Sequence, residues 1–397
     1  MNIVTLRQAK HIAGKTVFVR VDFNVPIKKG KIKEDFKIAQ SLPTIRFLMR
    51  YRCKIVLATH LGDPGGKVVK ELSTAPIAKR LAKLLNKKVL FVPETSGPEA
   101  KKLIAEAPAG ALILLENLRF NPGEEKNDLR FGKSLAELAE VYVNNAFAVC
   151  HRAHASVAAI KKYLPACAGL LLEEEVRNLA KAFDPKKPLV VVLGGAKIST
   201  KLPLINNFIK RADQILVGGA LANDFLKSLG YEVGRSLVSA DATMQKAAVK
   251  AYRQAGNHKI ILPVDAVVSI KKDGEGEVRV KKITEISKRD FIYDIGPETV
   301  AVFSHYLKRA QTIVWNGPMG WFEQSQFKHA TVALGRVIAS RSSGAAFGLV
   351  GGGETVEALR LTRMFDDIDW VSTGGGAMLE FLSGTKLPGL AGIVLYK

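Results

Sequence analysis

Four short segments of the chain carry side chains able to grip a small, dense anion: Asp22-Phe23-Asn24, His60-Leu61-Gly62, Arg119-Phe120 and His151-Arg152. Guanidinium groups match phosphate and carboxylate oxygens with paired N–H donors. Arg119 and Arg152, joined by His60 and His151 as further basic groups, therefore suit a ligand bearing both, while Asp22 and Asn24 suit its hydroxyls. Five other segments are rich in glycine: Gly194-Gly195-Ala196-Lys197-Ile198-Ser199-Thr200-Lys201, Gly218-Gly219-Ala220, Asn316-Gly317-Pro318-Met319-Gly320, Gly351-Gly352-Gly353-Glu354-Thr355 and Thr373-Gly374-Gly375-Gly376. Glycine lets backbone N–H groups approach phosphate oxygens, and a helix N-terminus adds partial positive charge. Five such turns, each expected to open a helix and one carrying two lysines four residues apart, point to a polyphosphate nucleotide. None is a P-loop: the nearest approach, Gly62-Asp63-Pro64-Gly65-Gly66-Lys67-Val68, is one residue short and lacks the Ser/Thr after the lysine.

Both sets of segments follow short apolar, β-branched runs. The first set follows runs at 16–21, 54–58, 111–115 and 141–143; the second follows runs at 189–193, 214–217, 312–315, 346–350 and 370–372, with a further run at 260–262. Continuous apolar runs alternating with helical patterns predict an α/β protein with two doubly wound parallel sheets of the Rossmann-like kind. Ligands of such sheets sit beyond the carboxyl ends of the strands, where these residues fall. Between the sets, Leu172, Val176, Leu179 and Phe183 share one helical face, and Pro185 and Pro188 close the segment. The expected division is 1–170 for the first domain, 171–187 for a hinge helix and linker, and 188–381 for the second domain. Ser269 to Val280 reads as a hairpin around Asp273-Gly274, more scaffold than site.

At 397 residues the chain is too long for one core, and its composition excludes collagen, coiled coil and disorder. Lys and Arg outnumber Asp and Glu by 59 to 37, a net charge of +22, which favours anionic partners. Three cysteines without C-x-x-C spacing suggest a reducing compartment and no structural zinc. No signal-like leader or run of ~20 apolar residues is present, so a cytoplasmic location and no membrane partner are expected.

Over its whole length the sequence resembles the phosphoglycerate kinase family. The resemblance is carried by Val19-Arg20-Val21-Asp22-Phe23-Asn24-Val25-Pro26, Leu42-Pro43-Thr44-Ile45, His60-Leu61-Gly62, Arg119 through Asp128, His151 through Ser156, Gly194-Gly195-Ala196-Lys197, Trp315 through Gly320 and Ser372 through Ala377. It implies a monomer that takes 3-phosphoglycerate or 1,3-bisphosphoglycerate on the first domain and ATP or ADP with Mg2+ on the second. It also implies that 382–397 returns to the first domain. Asp22, Asn24, Lys37, His60, Leu61, Gly62, Asp63, Arg119 and Arg152 are implied as the phosphoglycerate site. Lys197, Gly219, Gly320, Glu323, Gly352, Gly353, Glu354 and Thr355 are implied for the nucleotide, with Glu354 at the metal. Lys37, Lys201, Gly375 and Gly376 are implied around the phosphoryl group in transfer.

Several positions depart from the family pattern. Lys37 and Asp63 stand where the family carries arginines, Glu354 and Thr200 where it carries aspartates, and Trp321 where it carries a smaller apolar residue; Asn145 and Ala148 alter its Asp-Ala-Phe-Gly. Lysine keeps the charge but loses the planar fork, and a carboxylate at 63 opposes a substrate phosphate. A catalytically impaired relative that retains nucleotide binding and uses its basic face to bind nucleic acid is the alternative. The basic loops lack the interleaved aromatics that single strands would stack on, so no nucleic-acid partner is expected.

Overall fold

A strand whose whole length is apolar can be buried only if both faces of its sheet are covered, and that requirement shapes both halves of the chain. The computed structural model describes residues 2–9, 12–28, 30–256 and 258–395. The chain divides into two units, Met1–Arg177 with Lys386–Lys397, and Asn178–Thr385.

In the first unit a six-stranded parallel sheet runs in the order Val89–Val92, Leu112–Leu115, Lys54–Ala58, Thr16–Arg20, Val141–Asn144, Ala166–Ala168. The two outermost strands were not foreseen; both are short, and Val89–Val92 is mostly half-buried, so neither has the continuous buried run of a central strand. Val17, Val19, Ile55, Leu57 and Leu114 pack against Ile38, Leu42 and Ile45 of helix Phe36–Arg50 and Ile77 and Leu81 of helix Ala75–Leu85. Chain order reverses between Thr16–Arg20 and Val141–Asn144, which places a topological switch point there.

The second unit holds six parallel strands in the order Ile260–Ile261, Gln214–Val217, Leu189–Leu193, Thr312–Asn316, Phe347–Gly351, Trp370–Ser372. Its switch point lies between Leu189–Leu193 and Thr312–Asn316, and helices Pro297–Arg309 and His329–Ser342 cover one face through Phe303, Leu307, Leu334 and Ile338. A separate antiparallel sheet, Val278–Lys282, Asp265–Ser269, Phe291–Ile295, contains the hairpin.

The division between units falls inside helix Leu170–Ala180, which ends before Phe183. Its start is tied to the first unit: Asn145 Oδ1 accepts from Thr44 Oγ1 at 2.8 Å and Leu171 N at 3.2 Å, and Leu170 N donates to Thr44 Oγ1 at 2.9 Å. The returning segment joins the first unit from Lys386 rather than Leu382, because helix Gly375–Leu382 still belongs to the second. Gly389 N donates to Cys150 O at 2.8 Å, Lys161 Nζ donates to Pro388 O at 2.8 Å and Ala391 O at 2.7 Å, and Val394–Leu395 pairs antiparallel with Asn2–Ile3. Residues 396 and 397 of this segment lie outside the described residues.

Candidate active site

The loops at the first switch point bring Asp22, Asn24, Lys37, His60, Gly62, Arg119 and their neighbours into one network. Asp22 is buried; its Oδ2 accepts from Lys37 Nζ at 2.8 Å, and its Oδ1 lies 3.9 Å from His60 Nδ1. Burial pushes the Asp22 carboxyl up, but Lys37, His60 and Arg20 outweigh it and hold the group below its ordinary range. Lys37 therefore occupies the mouth, half-buried on helix Phe36–Arg50, with its charge against Asp22. Asn24 Oδ1 accepts from Gly62 N at 3.0 Å, and Leu61 is buried behind that turn.

Arg119 is only 5% exposed. Its Nη1 donates to Gly62 O at 2.7 Å. Its Nε lies 3.0 Å from Glu125 Oε1 but is too poorly aligned for a hydrogen bond, and its Nη2 is buried with no hydrogen-bond partner among the described residues. A buried guanidinium with idle donors is poised for an anion. Arg152 is exposed, and its charge, like that of Asp63, acts on Arg119.

Two sequence expectations need correction here. His60 and His151 were counted with the cations, but burial, aided by Arg20, Arg119 and Lys37 around His60 and by Arg152 beside His151, lowers both imidazoles, that of His60 well below the ordinary value. His60 is thus a neutral hydrogen-bonding group at pH 7. The tautomer follows from Arg20, whose Nη2 donates to His60 Nδ1 at 3.3 Å and leaves Nε2 to carry the proton. Arg20 itself, fully buried beneath the mouth, was given no role beyond its place in an apolar strand and in the family motif.

In the second unit the turns are cross-tied through their backbones. Gly194 N donates to Asn316 O at 3.0 Å, Gly195 N to Pro318 O at 2.9 Å and Gly219 N to Met319 O at 2.9 Å. Gly219, at φ +61°, could carry no side chain there: a Cβ would lie 2.8 Å from both Gly195 N and Pro318 O. A Cβ on Gly375 would meet Gly352 Cα at 3.0 Å, so the last two turns also touch. Four turns open helices as expected, at Ile198–Phe208, Gly219–Ser228, Gly353–Arg360 and Gly375–Leu382. The turn Asn316–Gly320 does not; its carbonyls serve the neighbouring turns, and the next helix starts only at His329.

Lys197 is exposed and has no ion-pair partner among the described residues. Lys201 is only 7% exposed; burial pushes its ammonium down to about 8, with Glu354 partly opposing. Glu354 is exposed at the start of helix Gly353–Arg360. The Thr355 hydroxyl accepts from Gly317 N at 2.7 Å, which ties it to the neighbouring turn and leaves its own O–H proton to donate.

A cavity of ≈ 310 Å³ opens beside these turns and gathers Gly219, Gly320, Glu323 and Glu354. Lys197, Lys201, Gly352, Gly353, Gly375 and Gly376 are not among its walls. Sequence reasoning missed much of the remaining lining, including Asn223, Leu237, Ile283, Phe291 and Tyr293. Trp321 lies in this wall, its ring 5.5 Å from that of Tyr293 and stacked at 6.4 Å on Phe327. The hairpin expected to be scaffold packs here: Tyr293 Oη donates to Lys272 O at 2.7 Å, and a Cβ on Gly274 would lie 2.5 Å from Phe327 Cε2.

Fold and turns together define a doubly wound α/β protein of the class that takes phosphorylated ligands at strand ends and helix N-termini. A family profile described as phosphoglycerate kinase matches residues 6–385. The chain is 44% identical to phosphoglycerate kinase of Thermosipho africanus over 396 residues, covering 99% of this chain and 98% of the relative. It is 45% identical to that of Geobacter metallireducens over 395 residues, covering 98% of each. Among solved structures, phosphoglycerate kinase from Coxiella burnetii superposes with a TM-score of 0.86 at 39% identity, covering 98% of each chain. That from Pyrococcus horikoshii OT3 does so with a TM-score of 0.83 at 32% identity, again covering 98% of each chain. The chain belongs to the phosphoglycerate kinase family. No helix among the described residues is long and apolar enough to cross a membrane.

Proposed function

We propose that the chain, acting as a cytoplasmic monomer, catalyses reversible phosphoryl transfer between 1,3-bisphosphoglycerate and ADP, giving 3-phosphoglycerate and ATP in glycolysis and gluconeogenesis. The observation that carries this reading is Arg119, buried at the first switch point with an Nη2 that has no hydrogen-bond partner among the described residues. A three-carbon acid phosphate offers oxygens to Arg119 and Arg152, and its hydroxyl falls to Asp22 and Asn24. The buried, unpaired Cys53, Cys150 and Cys167 support a reducing compartment.

The chemistry asks little of proton transfer. The attacking carboxylate is already ionised at pH 7, as is the ADP oxygen in the reverse direction, so no general base is required. The reaction needs in-line alignment and positive charge around three equatorial oxygens. Lys201 and Lys37 supply charge, and the amides of Gly375 and Gly376 supply donors. Lys197, Gly352 and Gly353 hold nucleotide phosphates, while Gly219, Gly320 and Glu323 border base and ribose.

Glu354 offers one hard oxygen donor next to those phosphates, a set that suits Mg2+ because this ion takes one or two carboxylates plus phosphate and water. When bound, it would neutralise charge on the terminal phosphates. With one ligand on each unit, the units close about helix Leu170–Ala180 before transfer and exclude water.

The test is a coupled assay of ATP- and magnesium-dependent phosphorylation of 3-phosphoglycerate. Turnover is expected, and none from folded protein overturns the reading. Asp63 gives a second check on the first site. It is exposed, yet its charge is felt at Arg119. Asp63→Arg is expected to lower KM for 3-phosphoglycerate roughly five-fold, the scale of one exposed charge contact. An unchanged KM would mean that residue 63 does not face the substrate.

A further inference from the structure

The mouth of the first unit holds a nucleophile as well as cations. Lys37 lies in the first turn of helix Phe36–Arg50, its side chain 31% exposed and its Nζ bonded to Asp22 Oδ2 at 2.8 Å. The other groups there cannot attack carbon. A guanidinium has no lone pair to give, which excludes Arg20, Arg119 and Arg152. The lone pair of His60 Nδ1 takes a hydrogen bond from Arg20 Nη2, and that of His151 Nε2 takes one from Arg152 Nε at 3.3 Å. Burial pushes the Cys150 thiol, two residues before Arg152, up to about 12. Lys37 differs because an amine that has shed a proton attacks carbonyl carbon readily.

One of the substrates proposed above, 1,3-bisphosphoglycerate, is an acyl phosphate, a carbonyl carbon already joined to a good leaving group. Its hydroxyl stands on the next carbon and is assigned to Asp22, the residue that also holds Lys37 Nζ. We propose that Lys37 is a covalent modification site, acylated by the bound acyl phosphate when no ADP is present to accept the phosphoryl group. The inference rests on the phosphoglycerate reading of this site. Nζ bonds to the acyl carbon, the bond from that carbon to the bridging oxygen breaks, and inorganic phosphate leaves with the electron pair. The ammonium sheds two protons: one passes through Asp22 to solvent, and the other goes to the departing phosphate. The resulting amide ties a phosphoglyceryl group into the mouth and replaces a cation with an anion, so turnover stops. An arginine at this position would not react in this way.

The experiment incubates the full chain, without ADP, with 1,3-bisphosphoglycerate generated in place by glyceraldehyde-3-phosphate dehydrogenase, and maps phosphoglyceryl-lysine by peptide mass spectrometry. Lys37 is expected to be modified at least about ten-fold faster than the exposed Lys250 on helix Ala242–Ala255, because a held reactant outpaces a colliding one. Loss of turnover should follow the Lys37 adduct in time, and excess ADP or 3-phosphoglycerate should slow both. Lys37→Arg should keep, through the same incubation, whatever turnover it starts with. No adduct at Lys37, an adduct that forms there no faster than at Lys250, or Lys37→Arg that loses its turnover at the wild-type rate overturns the proposal. The wild-type map decides the matter even if the variant fails to fold. Folded protein that turns over and yet gains no adduct at Lys37 overturns this inference alone. Folded protein with no turnover, in which 3-phosphoglycerate does not protect Lys37, overturns the phosphoglycerate reading and this inference with it.

Discussion

Lys201→Met is expected to reduce phosphoryl transfer by about 10³-fold, the scale of removing a group that stabilises developing charge in a water-excluded site, and to leave the free protein more stable at pH 7. Lys201 is 7% exposed and its ammonium is pushed down to about 8 by burial, with Glu354 as the opposing influence. A lysine whose folded pKa lies below its unfolded value of 10.5 destabilises the fold wherever both states are protonated, which here means below about pH 8. The penalty fades as pH rises from about 8 towards 10.5. At pH 7 it amounts to roughly 3 kcal/mol, which methionine, similar in length and apolar, should largely recover. Urea unfolding at pH 7 and pH 10 checks this: the stabilisation should be large at the first and small at the second. Mg-ATP binding, followed by calorimetry, should survive. Wild-type kcat/KM should fall as pH rises through about 8, because the free enzyme then loses the charge. A variant that still turns over removes Lys201 from its role, and one that loses ATP binding makes it a binding residue.

Arg20→Met should cost the first unit about 3–5 kcal/mol, the usual consequence of orphaning a buried charge. Arg20 is fully buried. Its Nε donates to Ser156 Oγ at 2.8 Å, its Nη1 to Val21 O and its Nη2 to His60 Nδ1. Glu124, also fully buried, accepts from Ser156 N at 2.9 Å and Ser156 Oγ at 2.5 Å. Burial raises the Glu124 carboxyl, and Arg20 is the chief opposing influence. Without Arg20 its pKa rises further above the unfolded value, so the loss is greatest at high pH and shrinks as acid protonates Glu124. Adding Glu124→Gln should recover part of the stability. Urea midpoints for wild type, both single variants and the double at pH 5 and pH 8 decide the matter. A loss independent of pH and of Glu124 would reduce Arg20 to a packing residue.

Both residues show which parts of the molecule the sequence could reveal. The central strands were legible because a parallel strand writes its burial as an unbroken apolar run, and all six strands of the second sheet stand where those runs lie. The glycine turns were legible because a positive φ or a close backbone approach leaves few other choices. Ionisation was not. His60 looks like a cation in a string of letters, and only the depth of its burial beside three cations makes it neutral. Arg20 is one basic letter within an apolar run, and its partners Ser156 and Glu124 come from loops more than a hundred residues away. Local rules also failed at Pro43 and Pro203, which lie inside helices. An interior proline costs about 3 kcal/mol, and the buried Ile38, Leu42, Ile45 and Leu48 offset it in the first case.

The pairing of Asn2–Ile3 with Val394–Leu395 makes the second unit an insertion within the first. Synthesis meets these pieces in a fixed order. Asn2 and Ile3 must wait until the residues up to Val394 and Leu395 have been made before their strand can pair, roughly 20–80 s at ordinary elongation rates. The stretch Asn178–Thr385 is contiguous and complete before then. During that interval Asn144 Nδ2, which donates to Gly389 O at 3.1 Å in the finished fold, and Cys150, whose backbone receives Gly389 N, have no segment to cover them. A nascent chain stalled before residue 386 should therefore expose the Cys150 thiol to alkylation, and release of the full chain should close it.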